Sequence, residues 1–222
     1  MDYKVAWNRA ALAGAREAIL TGSTDESFER LGEAAAGIIQ RYLRGGDVVL
    51  DIGCGVGRVE RYLAPHVSEL WAIDVSGEMI QRARERLAGL KNVHLREIDN
   101  DEFLRAFDSA SFDLVFSFLV LQHLEKEDAF LYLRDARRVL KAGGVLVAQF
   151  PNYLSPEYTR AFGQEADVKQ RSPGRVRVYT ESEVRHTLAV LGLEVIDLWL
   201  AGGESGIAEI FGSARKGQDS AL

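Results

Sequence analysis

The sequence predicts an α/β chain: a doubly wound sheet of seven strands, helices on both faces and an antiparallel hairpin at its C-terminal end. Three observations carry this. From Asp47 onward, short apolar runs alternate with stretches of helical periodicity, as when strands are joined by crossover helices in a parallel sheet. A glycine-rich turn, Gly53-Cys54-Gly55-Val56-Gly57, follows the first of these runs. Near the end, two apolar runs are separated only by Gly202-Gly203-Glu204-Ser205-Gly206, too short for a crossover and suited to a hairpin.

In chain order, residues 1–45 read as a helical cap. Ser23-Thr24-Asp25-Glu26 has capping-box spacing, and Phe28, Leu31, Ala35, Ile38, Ile39 and Tyr42 then recur at helical intervals up to Gly45-Gly46. Asp47 to Ile52 reads as the first strand, Arg58 to Ala64 as a helix ended near Pro65, and Glu69 to Asp74 as the second strand. Ser76 to Leu87 is a helix with Ile80, Ala83 and Leu87 on one face. Val93 to Ile98 and Phe112 to Ser117 are the third and fourth strands. Asp128 to Leu140 is a helix turning Ala129, Leu133, Ala136 and Leu140 inward. Gly143-Gly144 punctuates before a fifth strand, Val145 to Phe150. The stretch from Phe150 to Tyr179 lacks strong periodicity and is longer than a plain connector, so it reads as a lid inserted in a domain spanning 46–216. Thr180-Glu181-Ser182-Glu183 opens a helix by capping box, with Val184, Leu188 and Leu191 apolar. Leu193 to Leu200 and Ile207 to Arg215 form the hairpin, and 217–222 is a flexible tail.

Composition narrows the function classes. A net charge of −6 disfavours a general polyanion binder, whose affinity comes from Lys and Arg neutralising phosphates, so no nucleic-acid partner is expected. Cys54 is the single cysteine, which excludes an internal disulfide and a cysteine-rich metal site. Met1 to Leu20 is interrupted by Lys4, Arg9, Arg16 and Glu17, unlike a signal peptide, and no run reaches the roughly 18 apolar residues of a membrane span. The expectation is a cytoplasmic protein without a membrane partner; nothing in the pattern sets its oligomeric state.

The chemistry is concentrated at strand ends, where open α/β sheets bind ligands. Asp51-Ile52-Gly53-Cys54-Gly55-Val56-Gly57-Arg58 follows the first strand, and its glycines admit a sharp turn and a close ligand. A dinucleotide fingerprint needs its third glycine three residues after the second, where this chain has Arg58. Asp74 closes the second strand, where a carboxylate accepts from ribose hydroxyls. It could instead cap the following helix, although Ser76 already suits that task. Asp99-Asn100 follows the third strand and could meet an adenine amine, with Glu97 as the rival carboxylate. Cys54 reads as a small packing residue.

The glycine block resembles motif I of class I S-adenosylmethionine-dependent methyltransferases. So do Ser111-Phe112-Asp113-Leu114-Val115-Phe116-Ser117, then Val120-Leu121-Gln122-His123-Leu124, then Arg138-Val139-Leu140-Lys141-Ala142-Gly143-Gly144. Together they cover about residues 28–149, and Ala142 replaces the family's usual proline. The resemblance implies a Rossmann-like fold, S-adenosylmethionine as cofactor, S-adenosylhomocysteine as product and a small-molecule methyl acceptor, in a subgroup associated with sugar or secondary-metabolite chemistry. The implied cofactor-binding set is Asp51, Gly53, Cys54, Gly55, Gly57, Arg58, Asp74, Val75, Met79, Asp99, Asn100 and Ser117. Tyr3 and Trp7 either fold over the cofactor or simply pack.

His123, just after the fourth strand, is the candidate catalytic base, against a purely structural role for a loop histidine. No metal is expected, since no His and carboxylate ligand set is clustered in the sequence. The lid carries Phe150, Tyr153, Tyr158, Phe162 and Tyr179. It also has five cations (Arg160, Lys169, Arg171, Arg175, Arg177) against three anions (Glu157, Glu165, Asp167), an aromatic wall with a cationic rim or else a solvated surface excursion. Rival functions are a non-catalytic S-adenosylmethionine-binding module and an NAD(P)-dependent oxidoreductase, the latter disfavoured by the glycine spacing.

Overall fold

The computed structural model describes residues 2–99, 104–166 and 175–218. Asn100, lid residues 167–174 and tail residues 219–222 therefore lie outside the described residues. The chain divides into two compact units, 1–106 with 112–116, and 107–111 with 117–222.

The first unit opens with α1 (Tyr3–Ile19), capped by the Asp2 carboxylate on the Val5 N–H and interrupted at Gly14, whose backbone leaves helical geometry. In α2 (Asp25–Gln40), Phe28, Gly32, Ala36 and Ile39 are buried, one face of a 3.6-residue period. Its capping box pairs Thr24 with Ser27, one residue later than the Ser23-to-Glu26 spacing predicted, because Thr24 is the residue left in extended geometry before the first turn. Then come β1 (Val48–Ile52), α3 (Glu60–Leu63), β2 (Glu69–Asp74), α4 (Gly77–Arg86), β3 (Val93–Glu97) and β4 (Phe112–Ser117, its last residue in the second unit). Helix α3 starts later than the predicted Arg58, since Gly57 sits at φ +78°, outside helical space. Ser76 caps α4 by accepting from the Met79 N–H, and Met79, Ile80 and Ala83 are buried along it.

The second unit holds α5 (Lys126–Val139), β5 (Leu140–Pro151), α6 (Pro156–Ala166), α7 (Glu181–Val190), β6 (Leu193–Ala201) and β7 (Glu209–Lys216). Two expectations are corrected here. Gly143-Gly144 does not separate helix from strand, because β5 begins at Leu140 and runs through Gly143 at φ +75°. The supposedly aperiodic lid contains the eleven residues of α6, capped where the Tyr158 N–H donates to Ser155 Oγ.

The strands form a seven-stranded sheet in the order β3-β2-β1-β4-β5-β7-β6. β1 pairs in parallel with β2 and β4, and β2 with β3. β7 pairs antiparallel with both β5 and β6, as the glycine-rich link predicts, with a register shift between Val195 and Asp197. This is the Rossmann-like, doubly wound architecture with an antiparallel C-terminal hairpin. Among the described residues, no helix is long and apolar enough to cross a membrane.

Candidate cofactor site and acceptor-side residues

The sheet order in the first unit sets β3, β2 and β1 side by side, so their ends lie in a row: Asp99 beyond β3, Asp74 closing β2, and the glycine loop after β1. The loop is pinned by backbone bonds, Gly53 N–H and Cys54 N–H both donating to Ile73 O at 2.8 and 3.0 Å. Gly53, Gly55 and Gly57 lie at φ +88°, +54° and +78°. A Cβ at Gly57 would stand 2.6 Å from Leu87 Cδ1, and one at Gly55 2.8 Å from Ile19 Cδ1, so these side-chain ends would have to shift, and the positive φ itself favours glycine there.

Asp74 ties this loop to α4. Its Oδ2 accepts from Gly55 N–H at 2.9 Å and its Oδ1 from Ser76 N–H at 2.8 Å. Burial pushes the carboxyl up to about 6 despite those two donors, and the charge of Glu60 adds to the rise. Each oxygen keeps a second lone pair, so the staple and a ribose contact are chemically compatible. Asp99 is 75% exposed and bonds Lys4 Nζ at 2.7 Å, while Glu97 takes the same ammonium at 2.7 Å. The hydrogen bonds from Asp99 and Glu97 hold the Lys4 ammonium above its usual range.

Other predicted members point elsewhere. Asp51 is 3% exposed and Glu60 is fully buried. Burial, then the Glu60 charge, pushes Asp51 well above the carboxylate range, and burial raises Glu60 as well. Glu60 was missed because it occupies an ordinary polar position of a short helix, and only tertiary packing buries it. Arg58 is also buried, its guanidinium 5.5 Å from the Phe28 ring and its Cγ against Gly32, so it braces α2. Cys54 packs with Ala72, Ile80 and Leu95, and burial pushes its thiol up, which suits packing rather than nucleophilic chemistry. Met79 lies in a core cluster with Ala11, Ala15, Phe28 and Val56. Val75 is half-buried in the turn before α4.

Helix α1 reaches the same strand ends. Besides Lys4, Asn8 Oδ1 accepts from Ser76 Oγ at 2.7 Å and from Glu78 N–H at 3.3 Å, and Ile19 lies against Gly55. Tyr3 is buried, and Trp7 packs on the Met79 cluster. Among the described residues, no group of three or more His, Cys, Asp or Glu is placed to hold a metal ion.

Ser117 and His123 belong to the second unit. Ser117 is 1% exposed. Leu119 follows at φ +61°, a strained setting for a branched residue of the kind that gathers at functional sites. His123 ends a 3-10 turn, Leu121–His123, with its Nε2 3.1 Å from the Gln122 amide nitrogen, so that nitrogen serves as acceptor. The return limb of the lid grips this turn. Arg177, 7% exposed, donates to His123 O at 3.0 Å, Arg175 O at 2.7 Å and Glu125 Oε1 at 2.5 Å, and its own N–H donates to Gln122 O at 2.8 Å.

The chain matches the methyltransferase domain family over residues 49–144, the span containing the glycine loop, Asp74, Asp99 and His123. Over that span the chain is similar to methyltransferase domains. A probable cobalt-precorrin-6B C(15)-methyltransferase (decarboxylating) of Archaeoglobus fulgidus is 38% identical over 110 residues, 49% of this chain and 62% of that protein. The 27-O-demethylrifamycin SV methyltransferase of Amycolatopsis mediterranei is 32% identical over 181 residues, 78% of this chain and 63% of its own length. The chain thus spans less than two thirds of either relative. The crystal structure of magnesium protoporphyrin IX methyltransferase from Synechocystis with bound S-adenosylhomocysteine shares the fold, with a TM-score of 0.73, 18% identity and coverage of 96% of this chain and 97% of that one.

Proposed function

We propose that the chain is an S-adenosylmethionine-dependent methyltransferase whose acceptor is a small molecule, methylated on oxygen, nitrogen or carbon. The observation that carries this reading is the row of strand-end groups in the first unit: glycine loop, Asp74 and Asp99 on adjacent strands β1, β2 and β3. That order suits a ligand with a methionine part, a ribose and an adenine in line. When bound, S-adenosylmethionine supplies an activated methyl group on a sulfonium.

The protein's own groups do the rest. The glycine loop lets backbone approach the ligand without side chains in the way. Asp74 accepts from ribose hydroxyls with the lone pairs its two backbone bonds leave over. Asp99 accepts from the adenine amine, and Lys4 holds that carboxylate in place. His123 stands by the acceptor and takes a proton where the acceptor must lose one, once Gln122 yields the Nε2 lone pair. Positioning supplies much of the rate, since the donor is already activated. The net charge of −6 and the single, buried cysteine support a cytoplasmic setting with neither nucleic acid nor membrane as partner.

The test is direct. Calorimetry with S-adenosylhomocysteine, and with NADH and NADPH as controls, should give binding to the first alone. Incubation with S-adenosylmethionine and fractionated metabolite pools should then release S-adenosylhomocysteine. Binding of a nicotinamide cofactor instead would sink the reading; homocysteine-cofactor binding without turnover in every pool would reduce the protein to a binding module.

A further inference from the structure

A set of side chains on the second unit has no part in the roles assigned above. The register pairs Pro151 with Glu209, Gln149 with Phe211 and Trp199 with Phe211, so these five share one sheet face. The opposite face carries Gly212, against which α7 lays Val184 and Leu188. On the shared face Trp199 stacks on Phe211 with ring centres 5.3 Å apart, and Phe118 meets Phe211 edge-on at 5.6 Å. Glu209 lies two residues from Phe211 along one strand, about 7 Å away, at the end of β5 where α/β sheets receive ligands.

The Glu209 carboxyl is a costly group to place there. Its Oε1 accepts from the Tyr158 hydroxyl of α6 at 2.6 Å. The Gln149 amide also acts on the carboxyl, yet Oε2 is buried without a hydrogen-bond partner among the described residues. Both neighbouring donors are neutral. Burial pushes the group up to about 7, as expected for a carboxylate removed from water without a cation beside it. Fastening α6 does not explain it. Glu157 already holds α6 to the β6–β7 connection through the Ser205 N–H and hydroxyl, each at 2.8 Å, and a glutamine at 209 would accept from Tyr158 equally well.

We propose that Glu209 and the Phe118–Phe211–Trp199 panel form an amine-recognition pocket, and that the methyl acceptor presents an ammonium or N–H group to Glu209 beside an apolar or ring-shaped body. A protonated amine supplies the donor that Oε2 lacks, neutralises the carboxylate, and is favoured near aromatic faces. The assignment of this ligand as the acceptor rests on the methyl-transfer reading; the pocket's preference for amines does not.

The experiment titrates the full chain at pH 8, with and without saturating S-adenosylhomocysteine, using phenethylamine, 2-phenylethanol and 3-phenylpropionate as probes. Phenethylamine should bind roughly tenfold or more tightly than the other two, the scale of a charge-assisted hydrogen bond. Glu209→Gln should erase that preference while leaving homocysteine-cofactor affinity within about twofold. Tyr158→Phe, which keeps the carboxyl in place, should retain the preference. Equal binding of the three probes, no binding of phenethylamine, or an unchanged preference in Glu209→Gln overturns the pocket. Failure of S-adenosylhomocysteine to bind overturns the methyltransferase reading separately, since the probe titration without it still decides the amine preference.

Discussion

At the scale of single residues, Asp74 holds the glycine loop to the start of α4, and the proposed function gives it a ribose as a second partner. Its two oxygens accept from the Gly55 and Ser76 N–H groups. Asp74→Ala should therefore do two separable things. It orphans two backbone donors, costing about 1 to 3 kcal/mol of stability, and it removes the ribose acceptor, weakening S-adenosylhomocysteine binding by about 1.5 to 3 kcal/mol. Asp74→Asn keeps the shape and one acceptor oxygen, so it should retain most stability and still lose affinity. Calorimetry showing unchanged affinity in Asp74→Asn would refute the ribose role and leave only the staple. The same residue shows what the sequence could reveal: an acid closing a strand 21 residues after Gly53 was legible, but its bonds to Gly55 and Ser76 were not, because they depend on how the loop folds back over β2.

At the scale of elements, the return limb around Arg177 fixes the turn that carries His123. Arg177 spans two main-chain carbonyls and Glu125, which its hydrogen bond, and then its charge, hold below the usual carboxylate range. Arg177→Ala should cost about 2 to 3 kcal/mol in chemical denaturation, chiefly from carbonyls left without a donor. Arg177→Lys should recover little of it, because a single ammonium cannot reproduce the guanidinium fork. Full rescue by lysine would show that charge alone matters here. Elements with strong periodicity and caps were legible: β2 falls at Glu69–Asp74 as read, and Thr180 with Glu183 caps α7 as read. Helix α6 was not, since its start lay in a segment judged only by periodicity. The local signal was nonetheless present in Ser155-Pro156-Glu157, a capping serine followed by proline at the first helical position. The burial of Glu60 and Arg58 left no such trace, because both follow the glycine loop as ordinary surface types and become internal only through tertiary packing, as where Gly32 of α2 seats against Arg58.

At the scale of the whole molecule, an acidic chain of net charge −6 keeps several of its carboxyls out of water, and this sets the pH dependence of stability. Asp51 and Glu60 are raised by burial, Asp74 is pushed up to about 6, and Glu209 to about 7. Each folded-state value lies above that of the unfolded chain, near 4. Between those limits the folded protein binds more protons than the unfolded one, so stability falls as pH rises through the window, by on the order of 1 to 3 kcal/mol for a fully shifted group. The opposing groups, Glu29, Glu125 and Glu183, are lowered by cationic partners and lose their contribution only on acidification below the usual carboxylate range. Their pairs are partly exposed and weigh less. The melting temperature should therefore peak near pH 5 and decline toward pH 8, the reverse of the usual rise from acid to neutral pH. Glu209→Gln should flatten the decline between about pH 5 and 7, because an amide has no proton to lose, and Glu60→Gln should add to that effect by removing the strongest neighbouring charge that raises Asp51. Scanning calorimetry at four pH values in constant ionic strength decides it: a melting temperature that climbs from pH 5 to pH 8, or a slope that both variants leave untouched, would mean that these carboxyls stay ionised in the folded protein and that the cost of their burial is met by interactions other than a retained proton.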